Sequence, residues 1–310
     1  MDISSLYVKF KGGKLGCHQE LANPAVGAGM AREWSLMTLP AVPGKRRSLI
    51  AILVGLLAML AASVAPASAV TNGQLDGDGH PYVGLMVAQD EDRNPLWRCS
   101  GTLLSERVFL TAGHCTEAPA AHVEIWFDAD VESGIPANGY PNKGDASGTP
   151  YTHPDYDPNQ FFVRDLGVVV LKKPVRLDEY GVLPGLNILD DLATQRGTKD
   201  VTFTAVGYGL QRINPVFVED ERVRMFSTPH LIQINGGIVG DFSLLLSNNH
   251  STGGTCFGDS GGPNFIGTSN VVGGVTSFGL NGNCAGTGGV FRADRSWSLD
   301  WINTEFGHLL

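Results

Sequence analysis

Ser260 lies in a glycine-rich run, Cys256-Phe257-Gly258-Asp259-Ser260-Gly261-Gly262-Pro263. A serine hydroxyl is a weak nucleophile at neutral pH, so it needs a base within hydrogen-bond reach and a third group to orient that base. The chain offers both. His114, in Thr111-Ala112-Gly113-His114-Cys115, is the candidate base, and Asp165, in Arg164-Asp165-Leu166-Gly167-Val168, is the candidate orienting carboxylate. Asp155 and Asp157 compete for the third role, but they sit in a Pro-rich turn, whereas Asp165 immediately precedes an apolar strand. Ser251 and Ser277 flank the region of Ser260 without its glycine-rich setting. The chemistry open to such a set is nucleophilic attack on a carbonyl followed by acyl transfer.

Short strands separated by Gly, Pro, Asn and Asp turns would have to position these groups. The predicted strands are 82–88, 102–111, 123–127, 166–171, 201–206, 231–235, 271–278 and 289–292, all dense in Val, Ile, Phe, Tyr and Thr. Many short strands with turns between them imply an all-β antiparallel sandwich or barrel. One helix is expected over 297–306, where Leu299, Ile302 and Phe306 recur at helical spacing and Gly307 follows as a stop.

Not all 310 residues belong to that fold. Lys45-Arg46-Arg47, the apolar run 49–64 and the small-residue end Ala67-Ser68-Ala69 are the parts of a secretory signal peptide over 45–69. The apolar run is short of the ~20 residues that a membrane-spanning helix needs. Residues 1–44 do not fit a short signal n-region. We read them as a mis-annotated upstream extension, with the start at Met37 or Met30. Removing 1–69 leaves 241 residues with fifteen basic and twenty-eight acidic groups, a net charge of −13. Such a surface repels nucleic acid and anionic membrane. Cys99, Cys115, Cys256 and Cys284 remain, an even number that suggests disulfides in an exported chain and allows three pairings. The spacing lacks the C-x-x-C pair of a metal site.

Together the Gly-Asp-Ser-Gly-Gly-Pro and Ala-Gly-His-Cys runs, in the order His, Asp, Ser, resemble the trypsin/chymotrypsin family of serine proteases. The resemblance extends over about 70–306. It includes Cys99-Ser100-Gly101-Thr102-Leu103-Leu104, His153-Pro154-Asp155-Tyr156, Gly207-Tyr208-Gly209 and Ser277-Phe278-Gly279, with Phe278 where the family usually has tryptophan. It implies two six-stranded antiparallel β-barrels, about 70–190 and 191–295, joined near 184–198 and followed by a C-terminal helix over about 296–307. It selects the disulfides Cys99–Cys115 and Cys256–Cys284. It makes His114, Asp165 and Ser260 the catalytic triad, with Ser277 bonding Asp165. The N–H groups of Gly258 and Ser260 become the oxyanion hole, and no cofactor or metal is called for.

The resemblance also places the specificity pocket, with Gly254 at its floor, Phe257 at its rim and walls at Ser277, Phe278, Gly279 and Gly289. Trypsin-like members carry aspartate at the floor. Glycine there, and at Gly279 and Gly289, implies an open, uncharged slot suited to Phe, Tyr, Leu or Met; the rival is a broad specificity. The family's new N-terminal amine pairs with the aspartate before the nucleophile. Here that pair would be Val70, in Val70-Thr71-Asn72-Gly73, with Asp259. Because Val70 follows Ala67-Ser68-Ala69, signal cleavage alone would liberate it, as suits a bacterial secreted enzyme. The expected protein is an extracellular, monomeric serine endopeptidase. Its partners would be protein or peptide substrates and proteinaceous inhibitors, with no nucleic acid and no membrane after signal cleavage. A non-catalytic homologue acting as a binding module is the alternative. An α/β-hydrolase esterase is disfavoured because its serine precedes Asp and His along the chain.

Overall fold

The computed structural model describes residues 70–160, 163–195, 200–213, 218–236 and 240–310. The upstream stretch 1–44 and the leader 45–69 lie outside the described residues. In chain order the strands are β1 (Gln74–Leu75), β2 (Val83–Gln89), β3 (Pro95–Leu103), β4 (Val108–Thr111), β5 (His122–Trp126), β6 (Ala146–Thr152), β7 (Gly167–Leu171), β8 (Phe203–Gly207), β9 (Arg212–Ile213), β10 (Val218–Glu219), β11 (Met225–Ser227), β12 (Leu231–Ile234), β13 (Ser243–Asn248), β14 (Pro263–Ile266), β15 (Val272–Gly279) and β16 (Gly286–Arg292).

β2, β3, β4, β7, β6 and β5 close on themselves as a six-stranded barrel. Closure leaves no open edge. Leu85, Leu103, Phe109, Ile125 and Val169 are fully buried in its core, each contributing about 1.5–3 kcal/mol by leaving water. The second unit is a curled eight-stranded sheet in the order β1-β11-β8-β14-β15-β16-β13-β12. Its arms meet at an isolated bridge between Thr202 and His230. Two hydrogen bonds flank the bridge, from Phe203 N–H to Pro229 O and from Leu231 N–H to Val201 O, both 2.9 Å. The two expected barrels are therefore one closed barrel and one curled sheet. The wall that would complete the second is broken at Pro229, which has no N–H to give, into the short strands β11 and β12.

Other departures have local causes. The expected strand 102–111 is two strands, because the Ser105 hydroxyl accepts the N–H groups of Arg107 (3.3 Å) and Val108 (3.1 Å) and turns the chain between them. β13 was missing from the expected strands; all six of its residues are buried, so it shows no alternation. β6, Ala-Ser-Gly-Thr-Pro-Tyr-Thr, has too little apolar character to read as a strand. The C-terminal helix spans Ser296–Phe306 and buries Ser298, Ile302 and Phe306.

One buried side chain ties the two units together. Arg224 is 1% exposed and pairs through Nε with Asp76 at 2.9 Å. Its Nη atoms donate to the carbonyls of Gly77, Val83 and Phe127 and to the Tyr208 hydroxyl. A buried guanidinium is tolerable only when its donors are spent in this way.

Candidate active site

Strand register brings His114 and Asp165 together. β4 pairs antiparallel with β7, with Thr111 opposite Gly167. Residues that follow β4 therefore lie beside residues that precede β7. Immediately after β4 the chain makes a one-turn helix, Gly113–Thr116, which carries His114. Gly167 permits this approach, since a Cβ there would lie 2.5 Å from the Ala112 carbonyl oxygen and from Thr116 Oγ1. The Cys99–Cys115 disulfide anchors the turn to β3, with Cα atoms 6.2 Å apart.

Asp165 is fully buried and serves as a common acceptor. His114 Nδ1 lies 2.9 Å from its Oδ2 and 3.1 Å from its Oδ1, and the His114 backbone N–H donates to Oδ1 at 2.9 Å. Ser277 Oγ, from β15 in the other unit, donates to Oδ2 at 2.5 Å. Burial depresses the imidazole pKa of His114, but the charge and hydrogen bond of Asp165 outweigh it, and the net shift is upward. If activity requires the neutral imidazole, the acid limb of kcat/KM should have its midpoint above the ordinary histidine value of about 6.5. A pH–rate profile with a midpoint below that value would remove His114 from the role of base.

Ser260 reaches the same place on a loop held from both sides. Its carbonyl accepts the Ser100 N–H of β3 at 2.7 Å, and Gly261 N–H donates to Thr276 O of β15 at 2.7 Å. Gly261 has φ +76°, and a Cβ there would stand 2.0 Å from Thr111 Oγ1, so only glycine fits. Gly258 has φ +97° and lies against Gly209 and the Arg98 guanidinium. Its carbonyl is held by Ser100 Oγ at 2.9 Å. Among the described residues the N–H groups of Gly258 and Ser260 donate to no backbone carbonyl, so both are available to a developing oxyanion. Ser260 Oγ makes no hydrogen bond to His114 among the described residues. Such bonds are often loose before substrate binds.

Residues 77–302 match the trypsin family. The chain belongs to that family. It is 31% identical to brachyurin of Leptuca pugilator over 68% of this chain and 89% of that protein. It is 28% identical to a chymotrypsin of Phaedon cochleariae over 78% of this chain and 84% of that protein. The fold is that of solved Hypoderma lineatum collagenase, with a TM-score of 0.60 at 21% identity over 77% of this chain and 99% of the other. It is also that of human heparin binding protein, with a TM-score of 0.56 at 19% identity over 77% of this chain and 97% of the other. The curated relatives named here are arthropod proteins and lend no support to the bacterial source that the leader suggested.

In this trypsin-family chain the Cys256–Cys284 disulfide joins the serine loop to the segment before β16, with Cα atoms 5.2 Å apart. Gly254 is buried, and the space its side chain would take is filled. A Cβ on Gly254 would meet Asn248 Cγ at 2.3 Å. Asn248 is itself held at both ends, accepting from Thr71 Oγ1 at 2.8 Å and donating to Thr255 O at 2.8 Å. Phe278 pairs with Gly289, and a Cβ on that glycine would meet its ring at 2.4 Å. Gly279 pairs instead with Gly288, whose open side faces Thr255 Oγ1. The irregularity between Thr276 and Phe278 shifts this register, which no local residue pattern announces. Phe257, at the rim, is 47% exposed. Asn248, Thr255, Gly288 and Ser100 were absent from the sequence-based site. Ser100 had a signal beforehand, as the residue after Cys99 in a matched run.

Among the described residues no hydrogen bond or ion pair joins Val70 to Asp259. Val70 is fully buried, packed with Met225 and Val223. Thr71 bridges Gly254, five residues before Asp259. The Asp259 carboxylate accepts N–H groups from Gly209 (2.7 Å) and Cys256 (2.8 Å). Burial nevertheless pushes its pKa up to about 7.

Proposed function

We propose that residues 70–310 form an exported serine endopeptidase acting through an acyl-enzyme, with a preference for large apolar side chains before the cut bond. The observation that carries this reading is the chain of hydrogen bonds from Ser277 through Asp165 to His114 Nδ1, which leaves Nε2 facing outward as a base. Ser260 Oγ attacks the scissile carbonyl while His114 Nε2 takes its proton. The Gly258 and Ser260 N–H groups receive the negative charge that forms on the carbonyl oxygen. The C–N bond then breaks, the proton passes from His114 to the leaving amine, and water hydrolyses the ester by the same route in reverse. Asp165 holds the imidazole tautomer and stabilises the imidazolium throughout.

Apolar preference follows from the uncharged floor at Gly254 and the exposed Phe257 ring at the rim. Export and signal cleavage before Val70 complete the proposal. A binding role on a polyanion, suggested by the name of the heparin binding protein, is disfavoured by the net charge of −13 over residues 70–310. The test is a panel of chromogenic peptides offered to the chain beginning at Val70 and to its Ser260→Ala variant. Cleavage after Phe, Tyr, Leu or Met by the parent alone is expected. Cleavage after Arg or Lys would overturn the pocket, and equal rates in both chains would overturn the nucleophile.

A further inference from the structure

Asp165 stands between two residues that are both tied to the same tryptophan. On its N-terminal side Arg164 has φ +57°, a left-handed conformation that a long side chain keeps only where its surroundings impose it. The Leu166 N–H closes the turn on Arg164 O at 2.7 Å, with Asp165 at its centre. The Arg164 guanidinium lies over the Trp297 ring, with Cζ 4.1 Å from the ring centroid, and 5.2 Å from that of Phe242. On the C-terminal side, Leu166 O accepts the His153 N–H at 2.9 Å. His153 Nδ1 accepts the Asp155 N–H at 3.1 Å, so Nε2 carries the proton and donates to Trp297 O at 3.2 Å. Trp297, the second residue of the C-terminal helix, thus holds the chain on both sides of Asp165, by its ring and by its carbonyl. Stability alone does not account for a guanidinium here. Arg164 Nε and Nη1 are buried without a hydrogen bond. Among the described residues Arg164 forms no ion pair, and burial pulls its pKa down although Asp155 and Asp241 attract it from further off. A leucine would meet the two rings without burying a donor. What the guanidinium adds is a rigid plane that stacks in one orientation.

Resting on the serine endopeptidase reading above, we propose that Arg164 is a positioning residue: stacked on Trp297, it fixes the turn that aims the Asp165 carboxylate at His114 Nδ1. The two supports are complementary. Ser277 holds the carboxylate itself from β15, and Arg164 holds the backbone that bears it. With the stack removed, the turn can shift while the carboxylate still finds donors. The imidazole then spends less of its time in the productive orientation. Misplacement by about an ångström costs rate and leaves substrate affinity intact, because the peptide touches neither Arg164 nor Trp297 in this scheme.

A double-mutant cycle on the chain beginning at Val70 tests this. Arg164→Gly removes the stack and leaves a residue that adopts the left-handed turn freely. It should lower kcat by about fivefold or more, with KM changed by less than about twofold. Asp165→Asn removes the carboxylate through which Arg164 acts and keeps the residual activity carried by the oxyanion hole. Adding Arg164→Gly to Asp165→Asn should therefore cost less than about twofold more. Trp297→Leu keeps the carbonyl that His153 uses and removes the ring; it should repeat the first result, and it serves if Arg164→Gly does not fold. A smaller loss in the single variants, or the same loss with and without the Asp165 carboxylate, would overturn the proposal, since a residue that only stabilises the fold would weaken both backgrounds alike. Labelling of Ser260 by a fluorophosphonate separates the two levels of argument. A parent that labels and cleaves beside an unaffected variant overturns the role of Arg164 alone. A parent that does neither overturns the protease reading and this inference with it.

Discussion

A chain beginning at Val70 should cleave its peptides roughly 10²–10³ times faster than the same chain carrying one extra N-terminal alanine, a loss comparable to removing an oxyanion donor. The reason lies at Asp259. Its carboxyl is fully buried, accepts the N–H groups of Gly209 and Cys256, and is pushed up to about 7 by desolvation. The Arg98 charge lowers that value, but the Arg98 guanidinium is engaged with Asp220. An ionised carboxylate in this position therefore needs a cation. The Val70 amine is the one proposed, on a segment already bonded to the Gly254 backbone through Thr71. With the amine blocked, the raised Asp259 pKa makes the folded chain lose stability as pH rises from the ordinary carboxylate range through about 7. With the amine free, the direction is the same but the window moves to higher pH. Pairing raises the amine above its unfolded pKa of about 7.7–8.0, so the stabilisation is complete below that value and fades as pH rises through the folded one. Activity of the mature chain should then fall reversibly at alkaline pH. Equal activity in the blocked and free chains would remove the pair from the mechanism.

Asp165→Asn should lower kcat by roughly 10⁴ with little change in KM. The carboxylate accepts from the His114 backbone, from His114 Nδ1 and from Ser277. An amide has one acceptor oxygen, and its NH₂ would face either Nδ1, selecting the tautomer that cannot accept at Nε2, or the Ser277 donor. Steady-state kinetics on a single peptide are sufficient. A loss under tenfold would mean that Asp165 does not orient His114. Folding of the variant can be verified independently, since neither disulfide involves this residue.

The parts of the site that were legible are those written in contiguous residues. His114 and Ser260 stand in runs whose glycines are dictated by close backbone approach, at Gly113, Gly258 and Gly261, so sequence and geometry express one constraint. Asp165 could be picked from its neighbours because it leads directly into β7. What was hidden depends on long-range pairing. The Thr276–Phe278 irregularity sets Phe278 opposite Gly289 and Gly279 opposite Gly288. Asn248 reaches Gly254 from the end of β13, a strand with no alternation to reveal it. The split of the second barrel wall into β11 and β12 likewise depends on where Pro229 falls relative to β8, a relation between strands far apart in the chain.

Asn248 also limits which substitutions the segment around Gly254 can accept. An aspartate introduced at Gly254 alone, the simplest route to recognising basic side chains, would drive its Cβ into the Asn248 carboxamide. Shortening Asn248 first would take the donor from the Thr255 carbonyl and leave the Thr71 hydroxyl to the longer bond with Gly254 O, before any new charge arrived. Each single step thus carries its own cost, so a lineage with this arrangement would vary the residues around Gly254 and Asn248 more readily than these two themselves.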